Sequence, residues 1–250
     1  MADWKDNRTR PGFGTSDSFT GASVPRTREV FDAGLRQYML SIYNYMTSAV
    51  LLTGIVALVT ERSGFAVTLF AQPVLRLIVM LSPLAIVFAM SFGANRMQKS
   101  TLQVLFWAFA VLMGLSLSTI FLVYTGSSIA ATFFATAGAF AGLSLFGYST
   151  KKDLSAFGTF LIMGVFGLII AMLLNMWLQS PGLMWAISFL GVLIFAGLTA
   201  YDTQRLKASY SQLRGTELAG KMVVLGALQL YLDFINMFLF LLRFMGNSRS

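Results

Sequence analysis

Two long stretches without a single charged side chain leave this chain one kind of fold. Residues 100–150 and residues 154–201 contain no Asp, Glu, Lys or Arg. A helix that crosses a bilayer takes about 20 apolar residues, so each stretch holds two crossings joined by a tight turn. The turns are Tyr124-Thr125-Gly126-Ser127-Ser128 and Gln179-Ser180-Pro181-Gly182, both rich in residues that interrupt helices. Three further apolar runs, 37–60, 77–95 and 222–242, complete a set of seven. The expected spans are 38–59, 74–94, 101–124, 129–147, 156–178, 184–206 and 221–245. Only 11% of the residues are charged, against about 25% in a soluble domain, and mean hydropathy is +0.72. The fold class is therefore all-α, a polytopic integral membrane protein with seven transmembrane helices. Continuous apolar runs exclude a transmembrane β-barrel, whose strands alternate over segments of about ten residues.

Lysine and arginine sort by side. Lys5, Arg8, Arg10, Arg26, Arg28, Arg36, Arg96, Lys99, Lys151, Lys152, Arg205, Lys207, Arg214 and Lys221 fall on one side of the seven-span path. Only Arg62, Arg76, Arg243 and Arg249 fall on the other. The positive-inside rule then places the N-terminus in the cytoplasm and the C-terminus across the membrane. The net charge of +8 is in this reading a topology signal with anionic lipid as a contact, and no nucleic-acid partner is expected. By analogy with bacterial sequences of this plain type, an inner (plasma) membrane is the expected location. Residues 1–36 are polar, rich in Gly, Ser and Arg, and read as a flexible cytoplasmic tail. The first apolar run starts too late for a signal peptide and is long enough to span. Residues 37–246 form one transmembrane domain, and 247–250 a short tail.

Small residues mark close helix approach, and Gly138 and Gly142 form a G-x-x-x-G pair. Trp177 and Trp185 flank the outer turn as interfacial anchors. The fourteen methionines are scattered, as adaptable packing residues would be.

Within the spans, Asp202 and Asp233 are the only acidic residues, and the chain has no histidine and no cysteine. An ionisable group inside a membrane is expensive and marks a functional site by default. Asp233 lies twelve residues beyond Lys221, roughly 18 Å along the axis, which is near mid-membrane. Gln229, Asn236 and Arg243 share its helix face. Such a polar stripe has to face the interior of the bundle, so the last helix is expected at its centre. Asp202 sits near the cytoplasmic end of the sixth span with Arg205 three residues on, an arrangement that also suits an ordinary interfacial ion pair. If the two carboxylates meet, they titrate as one coupled unit and sense pH without histidine. Doubly ionised, and helped by Asn236, carbonyls and water, they would hold calcium weakly, as a conduction path requires.

The segment Gly197-Leu-Thr-Ala-Tyr-Asp-Thr-Gln-Arg-Leu-Lys207 and the stretch Leu230-Tyr-Leu-Asp-Phe-Ile-Asn236 resemble the Bax inhibitor motif family of membrane proteins, in its bacterial branch. The likeness covers about residues 34–246, including the loop Gly147-Tyr-Ser-Thr-Lys-Lys-Asp-Leu-Ser-Ala-Phe-Gly158. The resemblance implies a last helix wrapped by the other six. It also implies a pH-sensitive calcium leak governed by paired aspartates that match Asp202 and Asp233. A latch arginine at the cytoplasmic end of the second helix would correspond to Arg96. Other bacterial relatives modulate a membrane-anchored protease, so a non-transporting regulator of such a protease or another membrane partner is the alternative.

An enzyme is not expected. Two intramembrane aspartates, one in a Tyr201-Asp202 pair, resemble intramembrane aspartyl proteases, but Tyr231-Leu232 precedes Asp233 where those enzymes carry Gly-x-Gly. A serine nucleophile would need a base, and no histidine supplies one. No cofactor is expected, calcium entering only as a permeant ion.

Overall fold

The structure, a computed structural model, describes residues 23–249. The chain divides at Gly34 into two compact units; the first contributes the start of the first helix, and the second, Leu35–Ser250, carries the bundle. Nine helices occur among the described residues: α1 (Ser23–Arg62), α2 (Phe65–Ala71), α3 (Pro73–Gly93), α4 (Lys99–Leu117), α5 (Ile120–Val123), α6 (Gly126–Ser149), α7 (Ser155–Leu178), α8 (Pro181–Leu213) and α9 (Glu217–Met245). Seven stretches are long and apolar enough to cross a membrane: Val30–Arg62, Pro73–Gly93, Lys99–Val123, Gly126–Ser149, Ser155–Leu178, Pro181–Leu213 and Glu217–Met245. These are the seven expected spans, each starting earlier than expected and three of them ending later. The first helix reaches back to Ser23, into the stretch expected as tail. Pro25, its one breaker there, falls in the first turn, where proline is tolerated. The rest of the expected tail, residues 1–22, lies outside the described residues.

The helix ends follow from local chemistry. At the turn between α7 and α8, Asn175 accepts a hydrogen bond from the Ser180 amide at 3.0 Å, and the Ser180 hydroxyl accepts one from the Leu183 amide at 3.3 Å. Gln179 takes the left-handed conformation, φ 50°, and Pro181 opens α8, where its missing N–H is no loss. Trp177 and Trp185 stand exposed beside this turn. Inside α3, Pro83 cannot bond to the carbonyl of Val79. The Ser116 hydroxyl from α4 donates to that carbonyl at 2.7 Å, which removes the exposed backbone acceptor that hydrocarbon would penalise.

α9 is the central helix. In its most apolar window 72% of the residues are buried, against 17–39% in the other six spans. Tyr231, Leu230, Met237, Leu242 and Val224 are fully enclosed. The neighbours come close because the chain places small residues at their contacts. A Cβ added at Gly147 on α6 would lie 2.2 Å from the Ala200 carbonyl oxygen on α8, and one at Gly114 on α4 would lie 2.7 Å from Val56 Cβ on α1. The G-x-x-x-G pair behaves differently from its expected role, since nothing lies within 4 Å of a Cβ at Gly138 or Gly142. Spacing alone does not say which helix face a glycine presents, and this pair faces outward.

Candidate functional site

Polar contacts fasten the basic end of α8 to α6 and to the loop that follows it. Ser144 and Thr203 share a buried hydroxyl contact at 3.1 Å. Lys207 Nζ donates to the Tyr148 carbonyl at 2.7 Å and lies 4.6 Å from the Tyr148 ring. That carbonyl belongs to the last turn of α6, where the helix dipole favours a cation. Gln204 accepts from the Leu154 amide at 2.9 Å and donates to the Lys152 carbonyl at 2.8 Å, which fixes the loop between α6 and α7. In that loop the Asp153 carboxyl is held below the usual carboxylate range by its hydrogen bonds to the Ser155 side chain and amide.

This fastening sets the position of Asp202, which sits one residue before Thr203. Asp202 and Asp233 are each 4% exposed, and their carboxyl groups interact directly across the contact between α8 and α9. Contact between two carboxyls is favourable only when one carries a proton to donate, because two carboxylates are acceptors alone. The Gln229 side chain also reaches Asp202, and Arg205 acts on it electrostatically. Asp233 Oδ2 is buried with no hydrogen-bond partner. A buried, unpartnered carboxyl oxygen costs free energy, so the pair is a strained polar centre inside the most enclosed helix. Gly226, one turn before Leu230, lets α8 approach: a Cβ there would meet Leu206 at 2.7 Å.

The other residues singled out in the sequence fall as follows. Asn236 is half-buried and spends its amide on the Leu232 carbonyl at 2.8 Å, leaving its oxygen as the remaining donor atom toward any cation. Arg243, expected on the same buried stripe, is exposed at the far end of α9 and stands 6.0 Å from the Phe240 ring. Arg96 is exposed in the turn after α3 and interacts with neither aspartate among the described residues; the arginine that acts on Asp202 is Arg205. No cluster of three or more acidic, histidine or cysteine side chains occurs among the described residues. Two carboxyls and an amide oxygen suit a transient cation better than a resident one.

Sequence reasoning passed over a second buried polar chain. Tyr231 donates to the Thr53 hydroxyl at 2.8 Å, and Thr53 donates to the Ala110 carbonyl at 2.8 Å. This relay ties α9 to α1 and α4 two residues before Asp233 along α9. A hydroxyl in an apolar span was the available signal, because such groups find partners on neighbouring helices.

Known proteins resemble this chain over most of its length. The family model described as inhibitor of apoptosis-promoting Bax1 matches residues 35–250. The Escherichia coli K12 inner membrane protein YbhL is 46% identical, across 87% of this chain and 94% of its own length. Proteins from Rickettsia prowazekii and Caulobacter vibrioides are 47% and 45% identical, covering 89% and 91% of this chain and 94% and 96% of theirs. With seven membrane-crossing helices around a central α9 and this likeness over nearly its full length, the chain belongs to the Bax inhibitor family of integral membrane proteins.

Proposed function

We propose that this protein is a pH-sensitive cation leak, with calcium as the permeant ion and the Asp202–Asp233 pair as its gate. The observation that carries the reading is the meeting of two buried carboxyls, from α8 and the central α9, with Asp233 Oδ2 left without a partner. The pair changes charge by one unit when it gains or loses the shared proton. Two carboxylates about 4 Å apart repel by about 4 kcal/mol at an effective dielectric constant of ~20, enough to shift how α8 and α9 pack. The same ionisation creates an attractive point for a divalent cation, supplemented by the oxygens of Gln229 and Asn236. Both effects act at one place, so proton binding and cation passage are coupled. By likeness to YbhL, the membrane is the bacterial inner membrane, and the basic loops face the cytoplasm.

A second reading has its own support. Neither aspartate lines the two grooves beside α1 and α6, and both are almost wholly buried. A buried pair suits a non-transporting regulator that docks on another membrane protein, a membrane protease among them.

Calcium flux into liposomes holding the purified protein, followed between about pH 6 and 8, separates the two, because a carboxyl-gated leak moves calcium as pH changes and a regulator moves none. The expected result is flux that changes with pH in the parent and loses that dependence in Asp233→Asn. Flux equal to that of empty liposomes at every pH would discard the leak and leave the regulator.

A further inference from the structure

A groove of about 770 Å³ runs between α1 and α6 and is floored by Phe234 of α9. It exists because α6 faces α1 with small side chains, Ala137 and Ala141, where bulky ones would close the gap. Exposed Leu40, Leu51 and Leu145 form its rim, so it opens sideways to the hydrocarbon. Its α1 wall runs from Arg36 to Leu51, about 22 Å at 1.5 Å per residue. That exceeds half of the ~30 Å hydrocarbon thickness, the depth that one leaflet's chains reach. A smaller groove of about 300 Å³ shares Val50 and Phe133 with it and continues toward the opposite side.

The groove is polarised along its length. Arg36 and Tyr148 stand at the basic end, where Lys207 is held on the Tyr148 carbonyl. The hydroxyls of Tyr43 and Ser144 turn to Thr203, so those residues present mostly apolar surface to the groove. Arg36 is exposed and has no hydrogen-bond or ion-pair partner among the described residues. A cation at headgroup depth above an apolar trough is the complement of a lipid phosphate above an acyl chain. Basic pockets between transmembrane helices recognise acidic headgroups in this way.

We propose that the α1–α6 groove binds one anionic phospholipid, with its phosphate on Arg36 and one acyl chain lying along Ala137, Ala141 and Phe140. The site stands apart from the leak reading, though its floor residue Phe234 follows Asp233 and its wall residue Ser144 bonds the neighbour of Asp202.

The test is native mass spectrometry of the full purified chain offered phosphatidylglycerol and phosphatidylcholine with matched acyl chains. Arg36→Ala and Ala141→Phe both change exposed positions, and circular dichroism confirms that each stays helical. The parent is expected to retain phosphatidylglycerol over phosphatidylcholine. Arg36→Ala is expected to weaken phosphatidylglycerol alone by about fivefold, the effect of one cation near an anionic surface. Ala141→Phe, which fills the trough, is expected to lose both lipids. Equal retention of the two lipids by the parent, or phosphatidylglycerol still bound to Ala141→Phe, would overturn the proposal. So would a dimer of the parent that Ala141→Phe abolishes, since the occupant would then be a second copy.

Discussion

Tyr231 carries a phenol into the middle of the most enclosed helix, where every polar atom needs a partner. Its hydroxyl finds Thr53, and Thr53 passes the bond on to the Ala110 carbonyl. The two residues are not equivalent in this relay. Tyr231→Phe removes a donor and leaves Thr53 bonded to Ala110, so the expected loss of stability is about 0.5–1.5 kcal/mol. Thr53→Val strands the tyrosine hydroxyl in a dry site, and the expected loss is larger, about 1–3 kcal/mol. Thermal unfolding of the two variants in one detergent gives the order, and a greater loss in Tyr231→Phe would contradict the relay's direction. The aspartates were legible at this scale because charge is so rare in the spans. Thr53 was not, because threonine is common in membrane helices and only its neighbours reveal what it bonds.

Among the elements, α6 shows how poorly spacing predicts contact. Gly138 and Gly142 carry the recognisable motif and touch nothing within 4 Å, whereas Gly147 admits the backbone of α8 to a distance no side chain allows. Gly147→Ala should push α6 from α8, loosen the Ser144–Thr203 contact and cost about 1–3 kcal/mol, the range for overpacking. Gly142→Ala should leave the unfolding midpoint unchanged or raise it slightly, since alanine is the better helix former. Thermal midpoints of the pair decide the matter; equal losses in both would mean that α6 and α8 do not pack as described. The displacement in Gly147→Ala would also reach Asp202, one residue from Thr203.

For the molecule as a whole, the seven crossings and the uneven distribution of Lys and Arg make a topology that can be checked without disturbing the protein. The chain has no cysteine, so a single introduced thiol reports one position cleanly. In intact cells, an impermeant maleimide should label Gly182→Cys directly and Lys152→Cys only after permeabilisation. The opposite pattern would invert the orientation and place the basic loops outside, against the positive-inside rule. Beyond the last span the chain does not hang free: the Thr125 amide bonds to the Asn247 carbonyl at 3.1 Å and the Arg249 amide to the Val123 carbonyl at 2.8 Å. Arg249 also pairs with Glu61 at 3.6 Å, an exposed contact worth little in itself.

Sequence alone determined the number of crossings, their limits to within a few residues at most ends, and the two carboxyls on the last two spans. These are consequences of solvation, because hydrocarbon excludes charge and unpaired backbone wherever they occur, and that exclusion is written residue by residue. It also indicated that α9 is central, since Asp233 and its polar neighbours cannot face lipid. Only the tertiary structure decided which groups meet. It joined Asp202 to Asp233, turned Arg243 outward and opened a groove at Ala137 and Ala141. Those outcomes depend on helix rotation and on the distance between axes, which are set by many small packing contacts acting together. No local pattern of residues encodes them.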